Sequence, residues 1–288
     1  MKRVLITGAN KGIGLATVKK LLESYSDTYV LLGSRDFKKG EQALENLLKS
    51  NPEYKDRVNL IQIDVEQDGS VNSAALEVEE KFGKNPDTLY GIVNNAGIGN
   101  NVNGLGKILN VNTHGPKRIC DAFIPLLNSS HGRIVNVTSA SGPTFVSGSS
   151  DETKKLLTNP DITWTEIKDY MDKCIDASKN YDITSDYGSN IGSAYGLSKA
   201  CTNAYTMFLA RQHPNLKVNA CTPGFIETDM TRPMAVSGGK TPAEMGMKSP
   251  KEGTSASIFL LMGNPEGSGH YYGSDCLRSP IDRYRSPG

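Results

Sequence analysis

The chain has 288 residues, 37 % hydrophobic and 22 % charged, with 32 basic against 31 acidic side chains and a formal net charge of +1. That balance lacks the basic excess a nucleic-acid binder needs, and no stretch approaches the roughly 18 consecutive apolar residues of a membrane-spanning helix. Cys120, Cys174, Cys201, Cys221 and Cys276 form no CxxC pair and His114, His131, His213 and His270 are isolated, so reduced thiols are expected, with no disulfide framework and no metal site.

A strand begins at once with Val4-Leu5-Ile6, without the apolar run and small-residue cleavage site of a signal peptide, which predicts a cytoplasmic protein. Strand-like segments follow at 29–32, 58–63, 89–93, 133–137, 217–221 and near 271–276. Helix-like segments fall at 13–25, 41–48, 71–82, 119–127, 194–211 and 251–262. Apolar strands alternating with helices imply a parallel sheet covered on both faces. The expected fold class is therefore α/β, a doubly wound Rossmann-type sheet with ligands at the carboxyl ends of its strands. No Pro/Ser/Gly-rich linker divides 1–288, so a single domain is expected.

Residues 145–190 break this rhythm. The segment is polar and holds one convincing helix, 163–178, with Trp164, Ile167, Tyr170, Met171, Cys174 and Ile175 along one side. Thr163 or Asp161 is a candidate cap, and Glu166 stands three residues after Thr163 as in a capping box. This insert reads either as a decoration packed on the domain edge or as a cap beside the substrate pocket. Its place between two candidate site residues, Ser139 and Tyr195, favours the cap.

Two motifs carry chemistry. The first is Thr7-Gly8-Ala9-Asn10-Lys11-Gly12-Ile13-Gly14 after the first strand, whose glycines let backbone amides and a helix N-terminus approach a pyrophosphate. At the end of the second strand stands Gly33-Ser34-Arg35-Asp36. Arg35 offers charge-assisted bonds to an adenosine 2′-phosphate and Lys11 adds a second cation, which favours NADPH, while Asp36 leaves room for NADH. The second motif is Tyr195-Gly196-Leu197-Ser198-Lys199, with Ser139 upstream. Tyrosine and lysine four residues apart share one helix face. An ammonium beside the phenol is expected to pull its pKa down from about 10 toward neutrality, where it serves as acid or base.

Together, Thr7 to Gly14, Asn94-Asn95-Ala96-Gly97, Asn112, the strand end Val135-Asn136-Val137-Thr138-Ser139, Tyr195-x-x-x-Lys199 and Pro223-Gly224 resemble the short-chain dehydrogenase/reductase superfamily in order and spacing. The closer likeness is to its monomeric NADPH-dependent carbonyl reductases. It rests on Asn10 to Ala16, Ser34-Arg35-Asp36, the separation of 56 positions from Ser139 to Tyr195, the run Ile162 to Glu166, and Ser249-Pro250-Lys251-Glu252-Gly253. The resemblance implies that Tyr195 gives a proton to a substrate carbonyl oxygen, that Ser139 holds that oxygen, and that Lys199 lowers the tyrosine pKa and binds the nicotinamide ribose. It further implies that Asn112 supports a water leading to Lys199. For the cofactor it implies contacts from Gly8, Asn10, Lys11, Gly12, Ile13, Gly14, Arg35, Asp64, Val65, Asn95, Ala96, Gly97, Tyr195, Lys199, Pro223, Gly224, Ile226 and Thr228. The implied activity is NADPH-dependent reduction of small or medium ketones, quinones or aldehydes by a monomer. NADP-dependent oxidation of a specific alcohol, such as a steroid or terpenoid, is the alternative. A turnover-free nucleotide sensor is disfavoured by the intact Ser139, Tyr195 and Lys199. The stretch from Ile98 to Gly106 is shorter than in the carbonyl reductases, so substrate preference does not carry over. Met230, Met234, Met245 and Met247 read either as an adaptable apolar lid or as a disordered loop without function.

Overall fold

The structure is a computed structural model and describes residues 1–99, 104–180 and 193–286; residues 100–103 of the short loop and 181–190 of the insert lie outside them. The strands are β1 (Lys2–Ile6), β2 (Thr28–Ser34), β3 (Val58–Gln62), β4 (Gly91–Asn94), β5 (Arg133–Val137), β6 (Lys217–Cys221), β7 (Tyr271–Tyr272) and β8 (Arg278–Ser279). They form one sheet in the order β3-β2-β1-β4-β5-β6-β7-β8. Every pair is parallel except β7 with β8, where Tyr271 faces Ser279 across an antiparallel turn. This is the doubly wound Rossmann-type sheet the sequence implies.

The strands read as continuous apolar runs because both faces are buried. Leu5, Leu31, Ile61, Ile92, Ile134 and Val218 point into one core. Their neighbours Val4, Ile6, Val30, Leu32, Val93 and Val135 point into the other. The helices covering these faces begin with α1 (Gly12–Ser24), α2 (Phe37–Ser50) and α3 (Asp68–Phe82). Next come α4 (Leu105–Leu109) and α5 (Gly115–Phe123), joined by a π-helical turn, Asn110–His114. The remaining helices are α6 (Ser141–Gly148), α7 (Asp151–Leu157), α8 (Trp164–Asn180), α9 (Ser193–Gln212), α10 (Arg232–Ser237) and α11 (Ser255–Met262).

Three elements differ from the sequence expectation. The helix expected at 119–127 begins at Leu105, because Gly104 and Gly106 hide its first turn from periodicity. The insert holds two further short helices, α6 and α7, the latter capped by Ser150, whose Oγ accepts from Thr153 N at 3.3 Å. The last strand stops at Tyr272, and the chain turns through Cys276 (φ +64°) into β8. Helix α8 forms as expected. Its Ile167, Met171 and Cys174 are fully buried, and Thr163 and Glu166 close a reciprocal capping box, Thr163 N to Glu166 Oε2 at 2.8 Å and Glu166 N to Thr163 Oγ1 at 3.2 Å. Trp164 docks this helix, its ring 5.3 Å from His114 and 5.5 Å from Tyr205 in edge-on geometry. All five cysteines are free. Among the described residues no helix is long and apolar enough to cross a membrane.

Candidate active site

The predicted site residues gather at the carboxyl ends of the parallel strands. The glycine turn follows β1, Arg35 follows β2, Asp64 and Val65 follow β3, Asn95 to Gly97 follow β4, Ser139 follows β5, and Pro223 to Thr228 follow β6. Asn112 stands in the π-helical turn, and Tyr195 and Lys199 lie on α9.

The turn after β1 admits no side chains at two points. Gly8 takes φ +63°, and a Cβ there would lie 2.9 Å from Ala96 Cα. A Cβ on Gly14 would lie 2.5 Å from Gly8 O and 2.6 Å from Asn95 Nδ2. Asn95 braces this turn, its Nδ2 donating to Thr7 O at 2.9 Å and Gly8 O at 3.1 Å. Thr7 Oγ1 accepts from the amides of Asn95 and Ala96 at 3.1 and 3.0 Å. No side chain caps the thirteen-residue helix α1, whose Lys11 N-cap is extended. Its first amides therefore remain available to an anion. Thr228 reaches the same place, its Cγ2 3.7 Å from where a Gly12 Cβ would stand, and Ile226 is buried beside it. A glycine-lined cradle with free helix-end amides fits a dinucleotide pyrophosphate.

The cations expected at a 2′-phosphate are both exposed and both paired. Arg35 Nη1 lies 2.9 Å from Glu66 Oε2, and Lys11 Nζ lies 2.6 Å from Asp229 Oδ2. Exposed pairs of this kind are weak, on the order of 0–1 kcal/mol, so an incoming phosphate can replace either carboxylate. Asp36 is occupied as the N-cap of α2, accepting from Lys39 N at 3.1 Å. Asp64 Oδ1 accepts from Glu66 N at 3.1 Å, which fixes the turn after β3.

Asn112 is fully buried. Its Oδ1 accepts from Ile98 N at 2.9 Å, and its Nδ2 donates to Ile98 O and Ser198 Oγ, both at 3.0 Å. Its main-chain oxygen accepts from Thr202 Oγ1 at 2.8 Å. π-Helical turns of this kind occur often at functional sites. Beside it Gly97 leaves room, since a Cβ there would stand 3.4 Å from Asn112 Oδ1 and 3.5 Å from Lys199 Nζ. The Ser139 hydroxyl faces the Tyr195 phenol and favours its ionised form. Ser139 Oγ in turn accepts from Ser141 N at 3.2 Å. A Cβ on Gly196 would meet Ser141 O at 2.9 Å, so the glycine after Tyr195 lets α9 close on the Ser139 turn.

The electrostatics correct one expectation. Lys199 Nζ donates to Val137 O at 3.0 Å and sits 5.4 Å from the Tyr195 ring centroid. Desolvation, only partly countered by Ser139, pushes the Tyr195 phenol up to about 12, and burial brings Lys199 down to about 8. The tyrosine is thus held protonated at neutral pH, because its oxygen is drier than the lysine is close. The methionine segment is mixed: Met247 is buried, Met234 is 45 % exposed, and Met230 packs where a Gly99 Cβ would stand 3.0 Å from its Cγ.

Sequence reading gave no role to Thr7, Ser198, Asp229 or Arg118, each of which bonds a predicted site residue or its loop. Thr7 and Ser198 lie inside the two motifs, the one available signal; all four act over long chain separations.

Comparison with known proteins places the chain in a family. The short chain dehydrogenase family matches residues 2–150. The chain is 33 % identical over 286 residues to (+)-neomenthol dehydrogenase of Arabidopsis thaliana, covering 90 % of each chain. It is 27 % identical to an NADPH carbonyl reductase of Rattus norvegicus, covering 92 % of each. Among solved structures, salutaridine reductase from Papaver somniferum superposes with a TM-score of 0.79 at 27 % identity, covering 94 % of this chain and 99 % of that one. By the family match over residues 2–150 and the 33 % identity to a relative covered over 90 % of each chain, this chain belongs to the short-chain dehydrogenase/reductase family of oxidoreductases.

Proposed function

We propose that this protein reduces the carbonyl group of a small or medium-sized ketone, quinone or aldehyde to an alcohol with NADPH. The observation that carries this reading is geometric: Tyr195 and Lys199 share one face of α9, with Lys199 Nζ 5.4 Å from the tyrosine ring and donating to Val137 O at the end of β5, where the Ser139 turn begins. The bound cofactor supplies a hydride to the carbonyl carbon. Tyr195 gives its proton to the oxygen as charge develops there, and Ser139 holds that oxygen in place. Lys199, as an ammonium, stabilises the tyrosinate left behind and binds the nicotinamide ribose. Asn112 supports a water through which the proton is replaced. Gly8, Asn10, Gly12, Ile13 and Gly14 would hold the pyrophosphate, and Asp64, Val65 and Asn95 would hold the adenine side. Ala96, Gly97, Pro223, Gly224, Ile226 and Thr228 border the remainder. Arg35 and Lys11 exchange Glu66 and Asp229 for the 2′-phosphate, which selects NADPH over NADH. We take 1–288 as one domain in which 145–190 borders the pocket, and the protein as cytoplasmic.

The test is NADPH oxidation followed at 340 nm over a panel of quinones, cyclic diketones, aldehydes and ketosteroids, with NADH as control. Turnover with NADPH that falls at least a hundredfold in Tyr195→Phe is expected. Equal rates in the variant would remove Tyr195 as proton donor. A second reading, oxidation of a terpenoid alcohol, draws support from the relative named a neomenthol dehydrogenase. Rates in both directions with menthol-type alcohols and their ketones separate the two.

A further inference from the structure

Arg118, on α5, bridges two separate parts of the site through polar contacts. Its side chain is 22 % exposed, and its three guanidinium nitrogens are all engaged. Nε donates to Asp68 Oδ1 at 2.5 Å, at the start of α3. Nη1 donates to Val65 O at 3.2 Å and to Asn110 O at 3.3 Å. Nη2 donates to Asn110 Oδ1 at 2.8 Å. Val65 belongs to the turn assigned above to the adenine end of the cofactor. Asn110 opens the π-helical turn that carries Asn112. Gly115, at the far end of that turn, abuts the same loop, where a Cβ would lie 3.0 Å from Val65 Cγ2.

A π-helical turn departs from the regular ladder, and its geometry persists only where outside partners hold it. Here the middle of the turn is held by Thr202 and Ser198, which grip Asn112. Its first residue is held by Arg118, which grips both the carbonyl and the side chain of Asn110. The planar fork of arginine reaches two main-chain oxygens and two side chains at once; a lysine, as a point charge, cannot.

We propose that Arg118 is a positioning residue that couples occupancy of the adenine loop to the π-helical turn holding Asn112. The inference rests on the reading of Asp64 and Val65 as cofactor contacts. A ligand seated on that loop fixes the Val65 carbonyl, Arg118 is thereby fixed against Asn110, and Asn112 is held for the chemistry some distance away.

The experiment uses 2′,5′-ADP, which carries the adenine end and the 2′-phosphate but no nicotinamide, with hydrogen exchange read peptide by peptide on the full chain. In the wild type it is expected to slow exchange in residues 63–68 and also in 110–115. In Arg118→Met and Arg118→Lys it is expected to slow 63–68 while leaving 110–115 within twofold of the free protein. Circular dichroism and melting temperature establish that both variants are folded. Turnover with NADPH is expected to drop about tenfold in both variants. Equal protection of 110–115 in wild type and Arg118→Met, or no protection there in the wild type, overturns the coupling. Full recovery of the effect by Arg118→Lys also overturns it, because charge alone would then suffice. Absence of protection at 63–68 in the wild type is a different failure, that of the cofactor reading itself.

Discussion

The Lys199 ammonium lies in a dry setting bonded to a strand carbonyl, and its proton is held less tightly than on an exposed lysine. With its pKa brought down to about 8, the charge is present below that pH and lost above it. The pH profile of kcat/KM for reduction is therefore expected to fall as pH rises through about 8, while Tyr195, pushed up to about 12, stays protonated across that limb. A profile flat to pH 10 would contradict this. The same shift acts on folding. The unfolded chain binds this proton more readily, so the Lys199 contribution to stability rises as pH increases from about 8 to the ordinary 10.5. The tyrosine–lysine pair was legible in the sequence because four residues along a helix is a local relation. What held each member was not. Lys199 bonds a carbonyl 62 positions away and Asn112 a serine 86 positions away, and only the fold brings such groups together. The expected direction of the tyrosine shift failed for the same reason, since dryness is a property of the surroundings and not of spacing.

Among the elements, the strands and the long helices followed directly from their apolar patterns, and the pieces missed were short. Helices α6 and α7 span eight and seven residues, too few for a periodicity to show. Helix α8 was readable because its apolar stripe and its cap signature agree. The capping box at Thr163 is exposed and its bonds are local, so its contribution can be measured alone. Thr163→Ala is expected to lower unfolding free energy by about 1 kcal/mol in urea titration, with kcat unchanged. A loss of activity without a stability change would show that this helix end reaches the pocket after all.

For the molecule as a whole, α8 lies where α4, α5 and α9 would otherwise show an apolar face. Trp164 sits between His114 of the π-helical turn and Tyr205 of α9, with Lys117 Nζ 5.3 Å from its ring centroid. A self-pairing surface built on those helices would need that stripe, and here the chain covers it with its own residues. The protein is expected to elute in gel filtration at its monomer mass of 31.1 kDa. A stable tetramer would mean that a different face assembles.

The antiparallel β8 has a consequence of another kind. Parallel sheets end in strands whose outer amides and carbonyls lie open to pairing with a second chain. Beyond β7 the chain doubles back so that Tyr271 and Tyr272 face Ser279 and Arg278, and Arg285 fastens the return through Asp275, 2.7 Å from Nη2, and Ser279, 2.7 Å from Nε. The outermost strand is thereby two residues long, carries the charge of Arg278, is followed by Pro280, and is tied to its own turn. It offers little template for fibril-like growth, so the C-terminal tail acts as a guard against aggregation at the sheet edge next to β6.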